Sequence, residues 1–240
     1  MRNLFIFVFL SIYILPINLT ALDLTNLELE DGFKISIFAE SLDAPRQMAE
    51  GENGTIFVGE RGGQILALID SDKNGQADSK IIIAKDLKYS TGISLYDGDL
   101  YFSEISKIWK IENVEKWVSN YTIDSNFPEK ILVLDNLPND KWHGWKWLRH
   151  DQQGGLYFNI GAPCNICLSE NPQYASILKY QDNELNYIAK GVRNSVGFDF
   201  HPVSERLFFT DNGRDWLGDD SPSCELNRVD FDGQFFGYPF

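Results

Sequence analysis

The sequence predicts an all-β fold of the β-propeller class, and two observations carry this prediction. Aromatic and β-branched residues cluster in short runs bounded by Gly, Asn and Asp, as in strands joined by turns. One turn-and-strand unit recurs about every 40 to 60 residues, at Thr55–Val58, Asp99–Phe102, Gly155–Phe158 and Arg206–Phe209. A β-sandwich also contains short recurring strands, but repeats of roughly this period are typical of propeller blades.

The remaining elements follow the same pattern. Two of the units continue into a second predicted strand, at Gln64–Leu68 and at Lys107–Ile111. One short helical turn is predicted over Glu112–Trp117, and the final residues, GQFFGYPF, look like the start of another strand. Because no low-complexity linker interrupts the chain, we expect one propeller domain, residues 22–240. Its four visible blades form either a four-bladed propeller or part of a larger ring.

The charge of the chain excludes some partners. Its 240 residues carry 21 Lys and Arg against 35 Asp and Glu, a formal net charge of −14. Nucleic acid and anionic lipid would be repelled by such a protein, so neither is expected as its main partner. A large net charge favours solubility. It is also compatible with binding of a neutral or cationic ligand, including one bound through calcium.

The N-terminal segment has the features of a secretory signal peptide. Arg2 precedes an apolar run from Leu4 to Leu15, and Leu19-Thr20-Ala21 offers a cleavage site after Ala21. The run is short for a bilayer span, although an uncleaved anchor is the alternative. We expect residues 1–21 to be removed, and a periplasmic or secreted mature chain without a membrane span.

The three cysteines fit an oxidising compartment. Cys164 and Cys167 form a CxxC within APCNIC, and Cys224 stands alone. No second pair completes a zinc site, so we predict a local disulfide between Cys164 and Cys167, with Cys224 unpaired.

Gly191–Asn227 is the most informative stretch. The strand Leu207–Thr210 runs into the polar sequence DNGRD, and the pair Arg193–Asn194 stands just upstream. Strands that end in carboxylates, amides and glycines present these groups at one rim of a sheet, where glycine allows close approach to a ligand. A polar loop held by Asx turns is the alternative interpretation.

Two further loops carry candidate chemistry. Asp70–Asp78, DSDKNGQAD, is similar to the start of an EF-hand loop, but Ile81 occupies the position of the bidentate Glu. A turn capped by its own Asp and Asn side chains is the alternative. His143 lies between Trp142 and Trp145, where it is a candidate general base or a packing residue.

Taken together, the motifs GVRNSVGFDFHP, FFTDNGRDWLGDD, HGWK and GAPCNIC resemble the soluble glucose/sorbosone dehydrogenases, in particular their sorbosone dehydrogenase branch. These are pyrroloquinoline quinone (PQQ)-dependent sugar dehydrogenases. The resemblance runs from about Leu29 to Phe240. It implies a six-bladed propeller with its last blades beyond Phe240, so that this chain would be a C-terminally truncated fragment.

The resemblance also implies roles for five residues. His143 matches the base that takes the proton of the substrate hydroxyl, while hydride passes from a sugar or aldehyde to the quinone. Arg193 matches a catalytic arginine that contacts the quinone, and Asn194 its neighbour at the cofactor. Gly213 and Arg214 match the residues whose carbonyls hold a Ca²⁺ ion. An external electron acceptor would complete the cycle.

Two departures from the family pattern and two other function classes remain. Trp142 stands where the glucose-oxidising branch has an aspartate, and Ser90-Thr91-Gly92 stands where the family has a glutamine.

A non-catalytic propeller would bind a glycan or a protein at its rim, with Trp142, Trp145 and Trp147 suited to sugar stacking. A calcium-dependent lactonase is the other alternative. Neither class predicts the combination of His143 with Arg193–Asn194.

Overall fold

The computed structural model describes residues 24–218, 221 and 223–240 and confirms the all-β propeller. The chain divides into two units, Met1–Ile37 and Phe38–Phe240. Within the first unit, residues 24–37 form turns, in which Leu27 and Phe33 donate their N–H groups to the carbonyls of Leu24 and Glu30. The predicted signal peptide, residues 1–21, lies outside the described residues.

All strands of the described chain belong to the second unit, where they form four antiparallel blades. Blade 1 consists of β1 (Pro45–Glu50), β2 (Ile56–Glu60), β3 (Gln64–Ile69) and β4 (Ser79–Ala84). Blade 2 consists of β5 (Ile93–Tyr96), β6 (Asp99–Ser103), β7 (Ile108–Ile111) and β8 (Ile131–Leu134). The helix α1 (Val114–Ser119) lies between β7 and β8, two residues later than predicted.

The other two blades differ in their outer strands. Blade 3 consists of β9 (Leu148–His150), β10 (Leu156–Ile160), β11 (Ser176–Gln181) and β12 (Glu184–Lys190). Blade 4 consists of β13 (Phe198–Phe200), β14 (Leu207–Asp211) and β15 (Glu225–Arg228). The strand predicted in the final residues is β16 (Gln234–Phe235), which pairs in parallel with β12 of blade 3.

The core lies between the blades. Successive residues of a strand face opposite sides of its sheet, so neighbouring positions pack against different blades. Phe158 packs between blades 2 and 3, whereas Tyr157 packs between blades 3 and 4. Phe57, Phe102, Phe158 and Phe209 lie in the second strands of the four blades and are fully buried. Each contributes roughly 1.5–3 kcal/mol through the area it removes from water.

Two buried amide side chains join the inner strands of different blades. The Gln47 Oε1 atom of blade 1 accepts hydrogen bonds from the N–H groups of Ile93 and Leu148, both at 2.9 Å, and its Nε2 atom donates to the Leu148 carbonyl at 2.7 Å. Asn159 accepts from the Trp147 N–H and donates to the carbonyls of Trp145 and Ser195. These bonds fix the entry loops of the inner strands where the blades converge.

Among the residues that the structure describes, no helix has the length and apolar character needed to cross a membrane.

Candidate active site

The predicted base and the predicted quinone contact occupy equivalent places in two neighbouring blades. His143 lies five residues before β9, and Arg193 lies five residues before β13. Each therefore belongs to the loop that enters the innermost strand of its blade. Repetition of the blade brings the two loops to the same end of the propeller.

His143 is held in one tautomer by the main chain. Its backbone has a positive φ of 51°, and its Nδ1 atom lies 2.9 Å from the carbonyl oxygen of Ala162. A carbonyl has no proton to give, so Nδ1 is the donor and Nε2 of the neutral ring is free to accept a proton. Burial of the half-buried ring lowers the pKa of His143, so the neutral form predominates at neutral pH.

The close approach of the His143 loop requires a glycine at position 161. A Cβ atom on Gly161 would lie 2.5 Å from the Cβ atom and 2.9 Å from the carbonyl oxygen of His143. Both distances are shorter than van der Waals contact. Gly161 follows β10 directly, so the end of this strand is the surface against which the His143 loop packs.

Ala162 connects the two candidate residues. Its carbonyl accepts from His143, and its N–H donates to the carbonyl oxygen of Arg193 at 2.8 Å. The position of the imidazole and the position of the arginine backbone therefore depend on one residue.

The guanidinium of Arg193 is buried and oriented by three loop residues. Nε and Nη2 donate to the carbonyl oxygen and Oδ1 of Asn165, at 2.9 and 2.8 Å. Nη1 donates to the Asn212 carbonyl at 3.1 Å, and Nη2 also contacts Asp215 at 3.0 Å. Only 5% of the side chain is exposed. These bonds use four of the five N–H groups of the guanidinium and leave one on Nη1.

Asp211 fixes the backbone of the Arg193–Asn194 pair. Its carboxylate accepts the N–H groups of Arg193 and Asn194, at 2.8 and 2.7 Å. Burial raises the pKa of Asp211 to about 6, partly offset by these two bonds. Sequence reasoning did not assign Asp211 a role, although its place at the end of a buried strand, directly before Asn212 and Gly213, was a usable signal.

Arg193, Gly213 and Arg214 line a common cavity of about 430 Å³, together with Asn212 and Tyr238. No described residue donates a hydrogen bond to the carbonyls of Gly213 or Arg214. Oxygen atoms of this kind are the ligands that Ca²⁺ prefers, and the volume is in the range of cofactor pockets. The residues present therefore fit a cation and a cofactor at this place.

The structure does not bring all five predicted residues to one cavity. Asn194 lines a second cavity, of about 210 Å³, whose other lining residues come from the start of β1 and from the entries of β5, β9 and β13. His143 is not among the residues that line either of these two cavities. It is connected to Arg193 through Ala162 instead.

The predicted disulfide between Cys164 and Cys167 is confirmed, and Cys224 is a free, exposed cysteine. The disulfide brackets Asn165, the residue that holds the Arg193 guanidinium. The Tyr238 hydroxyl accepts the N–H of Cys167 at 2.9 Å and also contacts Cys164. The disulfide loop, the final segment and Arg193 thus form one connected group.

The acidic loop at Asp70–Asp78 is capped by its own side chains, as its alternative interpretation predicted. Asp70 accepts the N–H groups of Asn74 and Gly75, and Asp78 accepts from Ser71. Oxygen atoms of Asp70, Asp72 and Asp78 also lie within 4.8 Å of one another. Calcium at this loop stays a prediction.

The three tryptophans near His143 were expected to be exposed and to stack on a sugar, but only one of them is exposed. Trp142 is exposed, but Trp145 and Trp147 are half-buried. The Trp147 Nε1 atom donates to the Phe198 carbonyl at 3.0 Å, so Trp147 joins blades 3 and 4 rather than facing solvent. Its position directly before the inner strand β9 explains the burial.

The four blades, with polar entry loops at one end, define the chain as a β-propeller protein. The chain belongs to the TrAA12-like family, whose model matches residues 27–239. A relative from Borreliella burgdorferi, an uncharacterised protein, is 33% identical over 234 residues, which are 93% of this chain and 59% of that protein. The chain thus spans less than two thirds of the relative's length.

Three solved structures share the fold. The holo form of the pyranose dehydrogenase PQQ domain from Coprinopsis cinerea has a TM-score of 0.73 at 17% identity, covering 88% of this chain and 58% of that one. The calcium structure of a Trichoderma reesei family AA12 enzyme has a TM-score of 0.72 at 19% identity, covering 88% and 59%. The PQQ-bound aldose sugar dehydrogenase from Streptomyces coelicolor has a TM-score of 0.63 at 18% identity, covering 85% and 65%.

Proposed function

We propose that this chain is part of a PQQ-dependent dehydrogenase that oxidises an aldose or a sugar-derived aldehyde, with His143 as the general base. One observation carries the proposal: Ala162 holds a neutral His143 imidazole and the backbone of Arg193 at the same place. The solved structures named as the holo form of a PQQ domain and as a PQQ-bound form support the choice of cofactor. The sorbosone dehydrogenase branch, a six-bladed ring and a truncated chain stay predictions.

His143 would take the proton of the substrate hydroxyl at Nε2. The bond from Nδ1 to Ala162 fixes the ring and stabilises the imidazolium that forms when Nε2 is protonated. The lowered pKa of His143 keeps the base unprotonated at neutral pH, at the cost of some basicity. General-base assistance of this kind contributes about 100- to 10,000-fold to a rate.

Arg193 would supply positive charge from a buried side chain. Its guanidinium is buried and already oriented by Asn165, Asn212 and Asp215, so little reorganisation accompanies a reaction beside it. The remaining N–H group on Nη1 is available to a ligand oxygen. Asp211 keeps the Arg193–Asn194 backbone in place.

The quinone, when bound, would accept the hydride. Arg193 and Asn194 would hold it, and the carbonyls of Gly213 and Arg214 would hold Ca²⁺ beside it. The proposal includes an external electron acceptor. It also includes a periplasmic or secreted location, which depends on the N-terminal segment 1–21.

A titration of the protein with PQQ and Ca²⁺ tests the proposal, with the quinone absorbance as readout and aldoses or aldehydes as reductants. We expect binding, followed by bleaching on addition of substrate. His143→Gln should bind the quinone and bleach it about 100- to 10,000-fold more slowly, whereas the exposed His201→Gln should behave as wild type. A protein that binds no quinone would contradict the proposal, and lactone hydrolysis without quinone would favour the lactonase class.

A further inference from the structure

The cavity of about 210 Å³ that Asn194 lines contains positive charge and no negative charge. Its lining comes from the start of β1 and from the entries of β5, β9 and β13, and these four places contribute two charged residues, Arg46 and Lys146. No aspartate or glutamate is among the lining residues. The whole chain has a net charge of −14, so this cavity is a local exception, and its lining favours a ligand that carries negative charge.

Lys146 is buried at this cavity without a carboxylate beside it. The residue is 3% exposed, and its Nζ atom makes one long hydrogen bond, to the Gly144 carbonyl at 3.4 Å. An ammonium has three N–H donors, so two have no partner among the residues that the structure describes. Burial lowers the pKa of Lys146 to about 7, and no acidic side chain offsets this effect. Buried donors are normally satisfied, so a bound anion would supply the acceptors that Lys146 lacks.

The main chain at Lys146 is fixed by its neighbours. The Thr91 hydroxyl donates to the Lys146 carbonyl at 3.3 Å, and Asn159 Oδ1 accepts the N–H of the next residue, Trp147, at 2.6 Å. A Cβ atom on Gly92 would lie 2.7 Å from the Lys146 carbonyl oxygen, so the entry of β5 packs directly against this residue. These contacts hold the backbone of Lys146 at the cavity and leave its side chain buried there.

A second donor at the same cavity also lacks a partner. The Nε1 atom of Trp145 is buried and makes no hydrogen bond within the described part of the chain. The guanidinium carbon of Arg46 lies 4.8 Å from the centroid of the Trp145 ring, and Arg46 belongs to none of the ion pairs found among the described residues. Two unsatisfied donors and an unpaired guanidinium therefore belong to one small cavity.

We propose that Lys146 is a further cofactor-binding residue, whose ammonium contacts a carboxylate of the quinone, with Trp145 Nε1 as an additional donor. The inference rests on the proposed function, in which Asn194, a lining residue of the same cavity, holds the quinone. PQQ carries three carboxylates. Arg193, the other buried cation among the described residues, is already paired with Asp215, so Lys146 supplies charge that Arg193 does not.

Proton uptake on quinone binding distinguishes this contact from a purely structural role of Lys146. At about pH 8 the buried side chain is largely neutral in the free protein, and a carboxylate beside it would raise its pKa and restore the ammonium. Binding of one quinone should therefore take up about one proton from the buffer. Titration calorimetry with PQQ and Ca²⁺, in two buffers of different ionisation enthalpy, measures this uptake.

Three variants separate the contributions. Lys146→Met should abolish the proton uptake and weaken PQQ binding about 10- to 100-fold, the range for loss of a hydrogen bond between charged groups. Trp145→Phe keeps the aromatic ring, and it should weaken binding about three- to tenfold and keep the uptake. The exposed Lys85→Met is the matched control, because Lys85 lines neither cavity, and it should match the wild type in both measurements.

PQQ trimethyl ester, a quinone without carboxylate charge, is the second probe. It should bind the wild type more weakly than PQQ does, and Lys146→Met should bind it as the wild type does. An equal loss of affinity for PQQ and for the ester in Lys146→Met would overturn the inference, because the lysine would then act on the fold. Urea denaturation shows whether each variant is folded.

The failure of this inference and that of the proposed function give different results. PQQ binding and proton uptake in Lys146→Met that match those of Lys85→Met would overturn the inference and leave the dehydrogenase standing. Quinone binding that depends on Lys146, without bleaching by any aldose or aldehyde, would contradict the dehydrogenase and leave the Lys146 contact standing. A wild-type protein that binds no quinone would contradict both.

Discussion

His143 donates its Nδ1 proton to the main-chain carbonyl of Ala162 across 2.9 Å, and this bond determines which nitrogen can act as a base. The loop could have presented either nitrogen of the ring. Because the carbonyl can only accept, the unprotonated atom is Nε2. A reactive tautomer is thereby selected by a backbone atom, and a mutation of the side chain at position 162 would leave that selection in place.

His143→Gln should lower kcat/KM for sugar oxidation by about 100- to 10,000-fold, the range for loss of a general base. Because burial lowers the pKa of His143, the wild-type activity should fall only when the pH drops below the ordinary histidine range. The pH profile of kcat/KM measures this acid limb. An acid limb unchanged in the residual activity of the variant would show that another group is the base.

Gly161→Ala should displace the His143 loop, since the new methyl group would lie 2.5 Å from the His143 Cβ atom. We expect a loss of about 1–3 kcal/mol in the free energy of unfolding, typical of overpacking, together with reduced kcat. Gly197→Ala is the control, because its nearest contact would be Thr210 at 4.0 Å. Urea denaturation and steady-state kinetics measure both effects. Equal stability and activity of the two variants would refute the packing argument.

Asn165→Ala should weaken quinone binding by about tenfold, since Arg193 loses a charge-assisted acceptor at 2.8 Å and Asp215 loses the acceptor of its N–H. Reduction of the Cys164–Cys167 disulfide, which brackets Asn165, should act in the same direction. Quinone titrations monitored by absorbance measure both, with the exposed Asn53→Ala as a control. An affinity that is insensitive to both changes would mean that Arg193 does not contact the cofactor.

Lys146→Met should stabilise the protein at neutral pH and remove part of its pH dependence. Burial lowers the pKa of Lys146 to about 7 from an ordinary value of 10.5. Between these values the unfolded chain binds the extra proton, so the free energy of unfolding should rise from pH 7 towards pH 10. Each pKa unit corresponds to about 1.4 kcal/mol. Urea denaturation at several pH values, in buffer with weakly binding anions, measures the slope.

The exposed Lys85→Met is the control for that experiment and should keep the wild-type slope. A Lys146→Met variant with the same slope as the wild type would show that the ammonium of Lys146 is solvated or paired in solution.

The blades were predictable because their strands are marked locally. The turn before each second strand and the buried phenylalanines at Phe57, Phe102, Phe158 and Phe209 repeat along the chain. The helix was predicted two residues early because Glu112 and Asn113 are polar residues that also suit the turn preceding it. The pairing of β16 with β12 was not predictable, since a two-residue parallel strand has no pattern of its own.

The candidate site was predictable only in part, because its key contacts are made by the main chain. His143 and Arg193 were identified as residue types in motifs, but nothing in the sequence indicates that Ala162 bonds to both. The burial of Lys146 was also missed, because a lysine between two tryptophans is equally compatible with an exposed loop. Such features depend on which blades meet, and that is a property of the folded chain.

The Gln47 side chain has a consequence for the synthesis of this protein. Its Nε2 atom donates to the carbonyl of Leu148, a residue 101 positions later in the chain. When the strands of blade 1 have left the ribosome, the partner of this buried amide does not yet exist. The inner strand of blade 1 therefore completes its hydrogen bonds only after the start of blade 3 has been synthesised. Until then the nascent chain exposes a sheet that chaperones can bind.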